Sequence, residues 1–524
     1  MRIGLTWKSL AVGLVVIVIA IYIAMLINFN GDNDMYGEKV AESEAKVIQV
    51  DPMGITVLMG GDAELHGSLR EFKPGHPKRF WVENWDSLDD YFVWTVEVPQ
   101  GGGGYYEVSL IGTGKDSEIE VVTSDGNKIS AWVNNGWDKM LRGKWAWEYL
   151  GSISDVSARL ICSRWDRMII GSLYLPEGIS TIKMRARKVG MDLALYSLEL
   201  TPVGVREILA EKAKKLRSDT KWLADAKYGV MITWNSAVYP RYGERKPFPK
   251  NVEDFNVTAF VNMVMETGAR YVIFTATWAE HKFPAPIRSI DEILPGRTSK
   301  RDLIGEIADA LSVHDIKLIL YYHCGHDDAE WWKRTGFNEN KSKFIDNWCK
   351  IVSEIGQRYG EKLAGWFFDD GCVYYPLNPP FERMAKAAKT GNPNRIICYN
   401  SWILPKLTEF QDYFSGEGVD WLMDQSILRY LPKGGNGIFI DGPQKGLQAH
   451  CCFPLERGSS WGHIQPNTEI PPPNWEKDEF IKMIKDCIER KLVPSINLEV
   501  YEDGTPSPRS LELMRALRKA IWQK

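Results

Sequence analysis

The stretch Leu363-Ala364-Gly365-Trp366-Phe367-Phe368-Asp369-Asp370-Gly371 is an almost wholly apolar run that ends in two adjacent carboxylates. A short apolar run of this kind is typical of a strand that is buried on both faces of a parallel sheet. Carboxylates at the end of such a strand are costly to bury unless they have a function or a partner. The run therefore predicts a parallel sheet with functional groups at the carboxyl end of its strands.

Similar runs alternate with helical patterns from Val203 to the end of the chain, over about 320 residues. The predicted strands are Tyr228–Trp234, Tyr271–Thr275, Lys317–His323, Ala364–Asp369, Arg395–Tyr399, Asp412–Gly416, Gln448–Cys452 and Val493–Leu498. The predicted helices include Val252–Thr267, Lys300–Val313, Lys341–Tyr359, Glu476–Arg490 and Pro506–Trp522. Eight strands alternating with helices favour an α/β fold, a (β/α)8 barrel over 203–524. The alternative, an open doubly wound sheet, usually has fewer strands.

Residues 46–202 have a different pattern, in which apolar and polar residues alternate with period 2 between turn signals. Tyr105–Leu110 and Glu118–Val122 are examples. This pattern predicts an antiparallel β-sandwich that precedes the barrel as an accessory domain. Six tryptophans fit either a sugar-stacking face or a sandwich core, namely Trp81, Trp85, Trp132, Trp137, Trp145 and Trp147.

The N-terminus carries an apolar segment without a charge at residues 10–27, just long enough to cross a bilayer as a helix. Arg2 and Lys8 precede it and acidic residues follow, so the positive-inside bias places the rest of the chain outside the cytoplasm. We expect residues 1–28 to be a transmembrane anchor, with a cleaved signal as the alternative, and 29–45 to be a polar spacer. The protein would then be membrane-anchored or secreted.

Composition narrows the class of partner. The formal net charge is -4, and acidic and basic residues are interspersed, so no basic stripe is available for nucleic acid. The 21 Trp and 21 Tyr residues supply many flat rings of the kind that stack on sugars. A glycan partner is therefore favoured over nucleic acid.

Three carboxylates are the candidate catalytic groups: Asp369, Asp370 and Glu417. Adjacent residues of a strand face opposite ways, so Asp369 and Asp370 cannot both address one substrate atom. Glu417 lies between Gly416 and Gly418 at the end of the sixth strand, where glycines let the backbone turn. Two carboxyl groups are what glycosidic-bond cleavage requires, and a separation of about 5–5.5 Å means retention of configuration.

The run His323-Cys324-Gly325-His326-Asp327-Asp328 contains residue types that ligate zinc or similar ions. A metal-dependent hydrolase is therefore one alternative. No second ligand set of recognised spacing accompanies the run, so we predict no metal and no cofactor.

The order of four stretches resembles glycoside hydrolase family 29, the α-L-fucosidases, from about Trp222 to the C-terminus. The stretches are Ala224-Asp225-Ala226-Lys227-Tyr228-Gly229-Val230-Met231-Ile232-Thr233-Trp234, Gly268-Ala269-Arg270-Tyr271-Val272-Ile273-Phe274-Thr275, Leu318-Ile319-Leu320-Tyr321-Tyr322-His323 and Ser459-Ser460-Trp461-Gly462. The resemblance implies that the nucleophile is Asp369, with Asp370 beside it as the alternative, and that Glu417 is the acid/base. It implies a retaining, exo-acting hydrolase on a fucose-related sugar at the end of a glycan.

The chain departs from the family pattern at three places. Asp370 stands where the family has Gly, Thr233 occupies the position of a sugar-binding His, and Trp278-Ala279 fall where the family has a His pair. We expect an altered sugar site made of Trp234, Asn235, Trp278, Glu280, His281, His323, Asn400, Trp402 and Trp461. The missing histidines leave a second alternative open, a catalytically inactive surface carbohydrate-binding protein.

Overall fold

The structure is a computed structural model that describes residues 46–72, 80–136, 156, 159–160, 163–278, 280–337, 341–369, 371–417, 425–459 and 461–523. The predicted membrane segment and spacer, Trp137, Trp145, Trp147 and Asp370 lie outside these ranges. Within these ranges, the structure contains no helix with the length and apolar character needed to cross a bilayer.

Two sheets form the predicted β-sandwich. Their strands are β1 (Val47–Gln49), β2 (Thr56–Met59), β3 (Glu64–His66), β4 (Arg70–Glu71), β5 (Val82–Glu83), β6 (Tyr91–Val98), β7 (Gly104–Lys115), β8 (Ser117–Thr123), β9 (Lys128–Val133), β10 (Asp166–Leu175), β11 (Gly178–Lys188) and β12 (Met191–Pro202). One sheet has the order β1-β6-β11-β8-β9 with β3 also on β6, and the other β10-β7-β12-β5-β4 with β2 also on β12. The pairs are antiparallel except β1 on β6.

The tryptophans of the sandwich divide between core and surface. Trp81 and Trp85 are 0% and 2% exposed, so they fill the core. Trp132 is 58% exposed on β9, at the edge of its sheet. Of these three, only Trp132 offers its ring to solvent.

Eight parallel strands form a nearly closed barrel, in the order β17-β16-β15-β14-β13-β20-β19-β18. They are β13 (Gly229–Ile232), β14 (Tyr271–Thr277), β15 (Lys317–Tyr322), β16 (Leu363–Phe368), β17 (Ile396–Tyr399), β18 (Tyr413–Glu417), β19 (Gln448–Pro454) and β20 (Val493–Asn497). All eight predicted strands are confirmed, and no end is shifted by more than two residues.

Helices surround the barrel. They are α1 (Val205–Leu216), α2 (Lys221–Asp225), α3 (Phe248–Asp254), α4 (Val257–Thr267), α5 (Arg288–Ile293), α6 (Leu303–Ser312), α7 (Ala329–Thr335), α8 (Lys341–Tyr359), α9 (Gly371–Tyr374), α10 (Phe381–Ala388), α11 (Gln425–Leu428), α12 (Lys477–Arg490) and α13 (Pro508–Trp522). Short 3₁₀ turns lie at Gly60–Asp62, Gly360–Lys362 and Tyr375–Leu377. The prediction of one helix over Val252–Thr267 is wrong, because Asn256 caps a new helix there by accepting a hydrogen bond from the Ala259 amide at 3.0 Å.

The barrel strands alternate between two buried layers. Ile319, Tyr321 and Phe367 belong to the cluster inside the barrel, whereas Tyr322 and Phe368 belong to the layer between strands and helices. This period-2 alternation decides which residue at each strand end faces the barrel mouth.

The sandwich and the barrel lie within one compact unit, Val47–Lys524. Met59, Ile111 and Tyr196 of the sheet that contains β12 share a buried cluster with barrel residues, and Tyr196 stacks on Tyr375 at 5.5 Å between ring centroids. A continuous apolar core therefore joins the sheet that contains β12 to the barrel.

Candidate active site

Two polar side chains, Asp369 and Asn400, lie at one level of the barrel mouth just past the ends of β16 and β17. The Asp369 amide donates to the Tyr322 carbonyl at 3.1 Å, and the Asn400 amide donates to the Phe368 carbonyl at 2.8 Å. These bonds continue the strand ladders one residue past each strand. Asp369 and Asn400 therefore follow Phe367 and Cys398 on the inward face.

The Asn400 side chain bridges the two predicted catalytic carboxylates. Its Nδ2 donates to Asp369 Oδ1 at 2.9 Å and to Glu417 Oε1 at 2.5 Å. The two oxygens are therefore no more than 5.4 Å apart, the two distances added end to end. Among glycosidases in general, a carboxyl separation of about 5–5.5 Å is typical of retaining enzymes and one of about 6.5–9.5 Å of inverting enzymes.

Tyr321 holds the other oxygen of Asp369, because its hydroxyl donates to Oδ2 at 2.5 Å. Both oxygens of this carboxylate thus have a donor, which fixes its orientation. The sequence prediction did not include Tyr321. The available signal was strand parity, because Tyr321 is two residues before His323 and therefore shares its inward face.

Cys452 lies beside Glu417, its register partner on the neighbouring strand β19. Burial and the nearby charge of Glu417 hold the pKa of the Cys452 thiol well above its ordinary value. The thiol therefore stays neutral, which makes it a poor nucleophile next to the carboxylates.

His323 faces the mouth next to Asp369, and its ring is buried. Together with His326 and Asp327 it forms a group whose side-chain ligand atoms lie within 4.8 Å of one another. The Gly325 amide donates to His323 Nδ1 at 3.0 Å, which places the ring proton on Nε2. A protonated Nε2 has no lone pair for a metal, so this arrangement favours a hydrogen-bonding histidine over a metal ligand.

Two predicted tryptophans pack against the cluster inside the barrel. Trp278 and Trp461 are both half-buried there, and Trp461 has a φ of +70°. The Asn497 side chain holds the Trp461 carbonyl at 2.7 Å and accepts a hydrogen bond from Thr233 at 2.9 Å. Thr233 therefore faces the barrel interior.

Four predicted residues are not brought to the carboxylate pair. Trp234 is 1% exposed and packs in the helix layer against Phe255, because it follows the inward-facing Thr233. His281 stacks on Trp331 at 3.8 Å, and burial holds its pKa well below its ordinary value. The last two are Glu280, which pairs with Lys282, and Asn235, whose Oδ1 accepts from the Ala237 amide.

Trp402 lies just past Asn400 and contacts the sandwich. Its ring centroid is 5.1 Å from that of Phe80 and 6.0 Å from that of Trp81. Its side chain is half-buried in this contact. A role for Trp402 in sugar binding stays a prediction.

The fold and the site together define a class. A nearly closed parallel barrel carries two carboxyl groups at the carboxyl ends of its strands, in a geometry suited to glycosidic-bond cleavage. The family model described as Alpha-L-fucosidase matches residues 241–417. The resemblance predicted from the sequence is therefore confirmed over this segment, which contains Asp369 and ends at Glu417.

The chain is also similar to solved structures of low sequence identity. Endo-fucoidan hydrolase MfFcnA4 from glycoside hydrolase family 107 is 15% identical, with 57% of this chain and 53% of that chain covered and a TM-score of 0.44. An alpha-L-fucosidase GH29 from Bacteroides thetaiotaomicron is 15% identical, with 58% and 73% covered and a TM-score of 0.42. A bacterial fucosidase with a monovalent iminocyclitol inhibitor is 15% identical, with 58% and 74% covered and a TM-score of 0.40. The chain spans about half the length of the endo-fucoidan hydrolase, and no curated protein matches it.

Proposed function

We propose that the protein is a retaining, exo-acting glycoside hydrolase that removes α-L-fucose or a closely related sugar from the end of a glycan. The observation that carries the proposal is the Asn400 amide, which joins Asp369 and Glu417 and limits their nearest bonded oxygens to 5.4 Å. The match of the α-L-fucosidase family model over residues 241–417 supports the sugar class.

The first chemical step forms a covalent glycosyl-enzyme. Asp369 Oδ1 or Oδ2 attacks the anomeric carbon as the bond from that carbon to the glycosidic oxygen breaks, and Glu417 gives its proton to the leaving oxygen. Tyr321 and Asn400 keep the attacking carboxylate aligned.

The second step returns the enzyme to its starting state. Glu417, now ionised, takes a proton from water, and the resulting hydroxyl oxygen bonds to the anomeric carbon as Asp369 leaves. Two inversions give net retention, and the proton balance needs no metal or redox group.

The experiment is hydrolysis of a panel of 4-nitrophenyl α- and β-glycosides, including the α-L-fucoside, by the wild type and the Asp369→Asn variant. We expect turnover of the α-L-fucoside or a related sugar that the variant loses. Turnover that survives in Asp369→Asn would rule out its role as nucleophile. Glycan binding without turnover on the panel would favour a carbohydrate-binding protein.

Glu417→Ala tests the acid/base separately. We expect the rate to fall about 10²- to 10⁴-fold. Azide should restore turnover of substrates with a good leaving group and give an α-configured glycosyl azide from an α-glycoside, because the small anion enters the space that the carboxylate vacates, attacks the glycosyl-enzyme and needs no general base. A rate that Glu417→Ala leaves unchanged is incompatible with the assignment.

The catalytic part is placed outside the cytoplasm in this proposal, held by the apolar segment at residues 10–27 or released after its removal. The test is cell fractionation with protease added to intact cells or spheroplasts. Protection of the full chain until lysis would contradict an external location.

A further inference from the structure

The loop that follows β17 connects the carboxylate pair to the β-sandwich. Asn400, which bridges the carboxylates, is two residues before Trp402. The Trp402 ring packs on Phe80 and Trp81, with centroids 5.1 and 6.0 Å away. The sandwich thus contacts Trp402, which is two residues from Asn400 in the sequence.

Trp402 also determines which way the Asn400 amide points. The Trp402 backbone N–H donates to Asn400 Oδ1 at 3.2 Å, so the Nδ2 end faces Asp369 and Glu417. The opposite orientation would place an acceptor oxygen against two carboxylates and leave the Trp402 amide facing a donor. The Trp402 amide and the two carboxylates therefore all favour the same orientation of the Asn400 side chain.

The backbone at Trp402 is in a conformation that needs support. Its φ is +57°, in the left-handed region that bulky residues rarely adopt. Such a conformation persists only when the surrounding packing holds it. The packing is supplied by Phe80 and Trp81, and Trp81 is itself fixed by a hydrogen bond from Nε1 to Glu83 at 3.0 Å.

We propose that the β-sandwich is a positioning part of the active site: Phe80 and Trp81 hold Trp402 in its left-handed conformation, so that its amide orients Asn400 between Asp369 and Glu417. The expected effect on the rate rests on the proposed function. The packing of Phe80 and Trp81 on Trp402 does not depend on that function. Phe80 is then a positioning residue that lies in the sandwich and acts on the carboxylates through Trp402.

The kinetic test compares Phe80→Leu with Phe92→Leu. Phe80 is 5% exposed and contacts Trp402, while Phe92 is 0% exposed and packs in the separate sandwich core against Trp85 and Trp94. Leucine keeps an apolar side chain, so both variants should fold. We expect kcat to fall roughly ten- to a hundredfold in Phe80→Leu with little change in KM, because a small misplacement of catalytic groups has this effect.

Two further outcomes distinguish the positioning of Trp402 from a general loss of stability. Phe80→Tyr keeps the ring and should restore most of the rate. Phe92→Leu should keep the wild-type kcat. An equal fall in both leucine variants, or no fall in Phe80→Leu, would overturn the proposal.

Hydrogen exchange gives a readout that does not depend on activity. The Trp402 amide should exchange faster in Phe80→Leu than in the wild type or Phe92→Leu, as measured on peptides that span residues 400–404. If the wild type hydrolyses no glycoside, the proposed function fails, yet this selective loss of protection would still support the positioning contact. Unchanged exchange at Trp402 would overturn the contact whatever the enzyme hydrolyses.

Discussion

At the residue scale, the site depends on one amide with two donors. Asn400 has a hydrogen for each carboxylate and an oxygen for the Trp402 backbone, so all three polar contacts of its side chain are used in one orientation. No aspartate or leucine of similar shape could satisfy the same set. The asparagine is therefore suited to positioning both carboxylates, and the sugar-binding role that its place in the sequence predicts stays a prediction.

Asn400→Ala removes both hydrogen bonds and should lower kcat/KM about ten- to a hundredfold, since a small misplacement of catalytic groups has an effect of this size. The measurement is steady-state kinetics on the substrate found in the glycoside panel. The matched control is Asn392→Ala, a buried asparagine whose Nδ2 contacts the Leu363 carbonyl at the other end of β16. Equal losses in the two variants would mean that general destabilisation explains the effect.

The alternation of side chains along each strand also explains why some predicted site residues do not contact the carboxylate pair of Asp369 and Glu417. Parity along a strand sends Thr233 inward and Trp234 outward, and it sends Tyr321 and His323 inward with Tyr322 between them outward. The sequence prediction selected residues by their position near a strand end without applying this alternation to each strand.

At the element scale, Asp412 links β17 to β18, the first and last strands in the order of the barrel sheet. The place where these two strands meet is called the seam. Its amide donates to the Ile397 carbonyl at 2.8 Å, and its Oδ2 accepts from the Ile397 amide at 2.8 Å. Lys389 lies 3.0 Å from the same carboxylate, and both side chains are largely buried. Burial raises the pKa of Asp412 and lowers the pKa of Lys389, while their mutual attraction opposes both shifts.

Asp412→Ala should lower the free energy of unfolding by about 3–5 kcal/mol, because it leaves a buried ammonium group without its partner. Urea denaturation at neutral pH would measure the change. Asp346→Ala is the comparison, since Asp346 forms an exposed ion pair with Arg383 whose loss should change stability by less than about 1 kcal/mol. Equal stability of Asp412→Ala and wild type would contradict a structural role at the seam.

A second element-scale feature is the buried carboxyl group of Glu456, just past β19. Burial and the charge of nearby Glu499 raise the pKa of Glu456 to about 8, and the Glu499 amide donates to its Oε2 at 3.2 Å. The folded protein holds this proton up to about pH 8, whereas the unfolded chain releases it near 4.5. The free energy of unfolding contributed by this group therefore falls as pH rises between those values.

Glu456→Gln should flatten that fall, because the amide stays neutral at every pH. Each unit of pKa difference corresponds to about 1.4 kcal/mol. Thermal unfolding followed from pH 5 to pH 8 would measure the pH dependence of stability in the variant and the wild type. Glu479→Gln is the control, because Glu479 is an exposed carboxyl group of α12. A variant whose stability declines with pH as steeply as the wild type would show that another group is responsible.

At the scale of the whole molecule, a buried charge cluster joins the sandwich to the barrel. Glu199 of β12 accepts hydrogen bonds from Arg167 of β10 and from Tyr375, which follows α9 in the barrel. Burial alone would raise the pKa of Glu199, but the charges of Arg167 and Arg206 outweigh it and the pKa is lowered. Arg167 also donates to the Lys406 carbonyl at 2.7 Å, so the cluster reaches a second barrel loop.

Glu199→Ala should lower the stability of the whole unit by about 3–5 kcal/mol, because it leaves Arg167 buried without its carboxylate. Differential scanning calorimetry should show one transition in the wild type and an earlier loss of the sandwich in the variant. Glu64→Ala serves as the reference, because Glu64 is an exposed carboxylate that lies 2.9 Å from His66. An unshifted transition in Glu199→Ala would mean that the apolar core alone holds the two parts together.

The sequence by itself determined the strands, their order and the carboxylates at their ends. Apolar runs and period-2 alternation are local signals, so Leu363–Phe368 was identifiable as a buried strand that leads into Asp369. Local signals also located two sandwich strands, β7 and β8, and four helices, α6, α8, α12 and α13, although the break at Asn256 was missed.

Only the tertiary structure decided how these groups meet. Glu417 reaches Asp369 through an amide on a third strand, and Phe80 supports Trp402 across more than three hundred residues of sequence. Such contacts depend on barrel closure and on how the sandwich packs against the barrel, because side-chain neighbours far apart in the chain are set by packing rather than by local pattern.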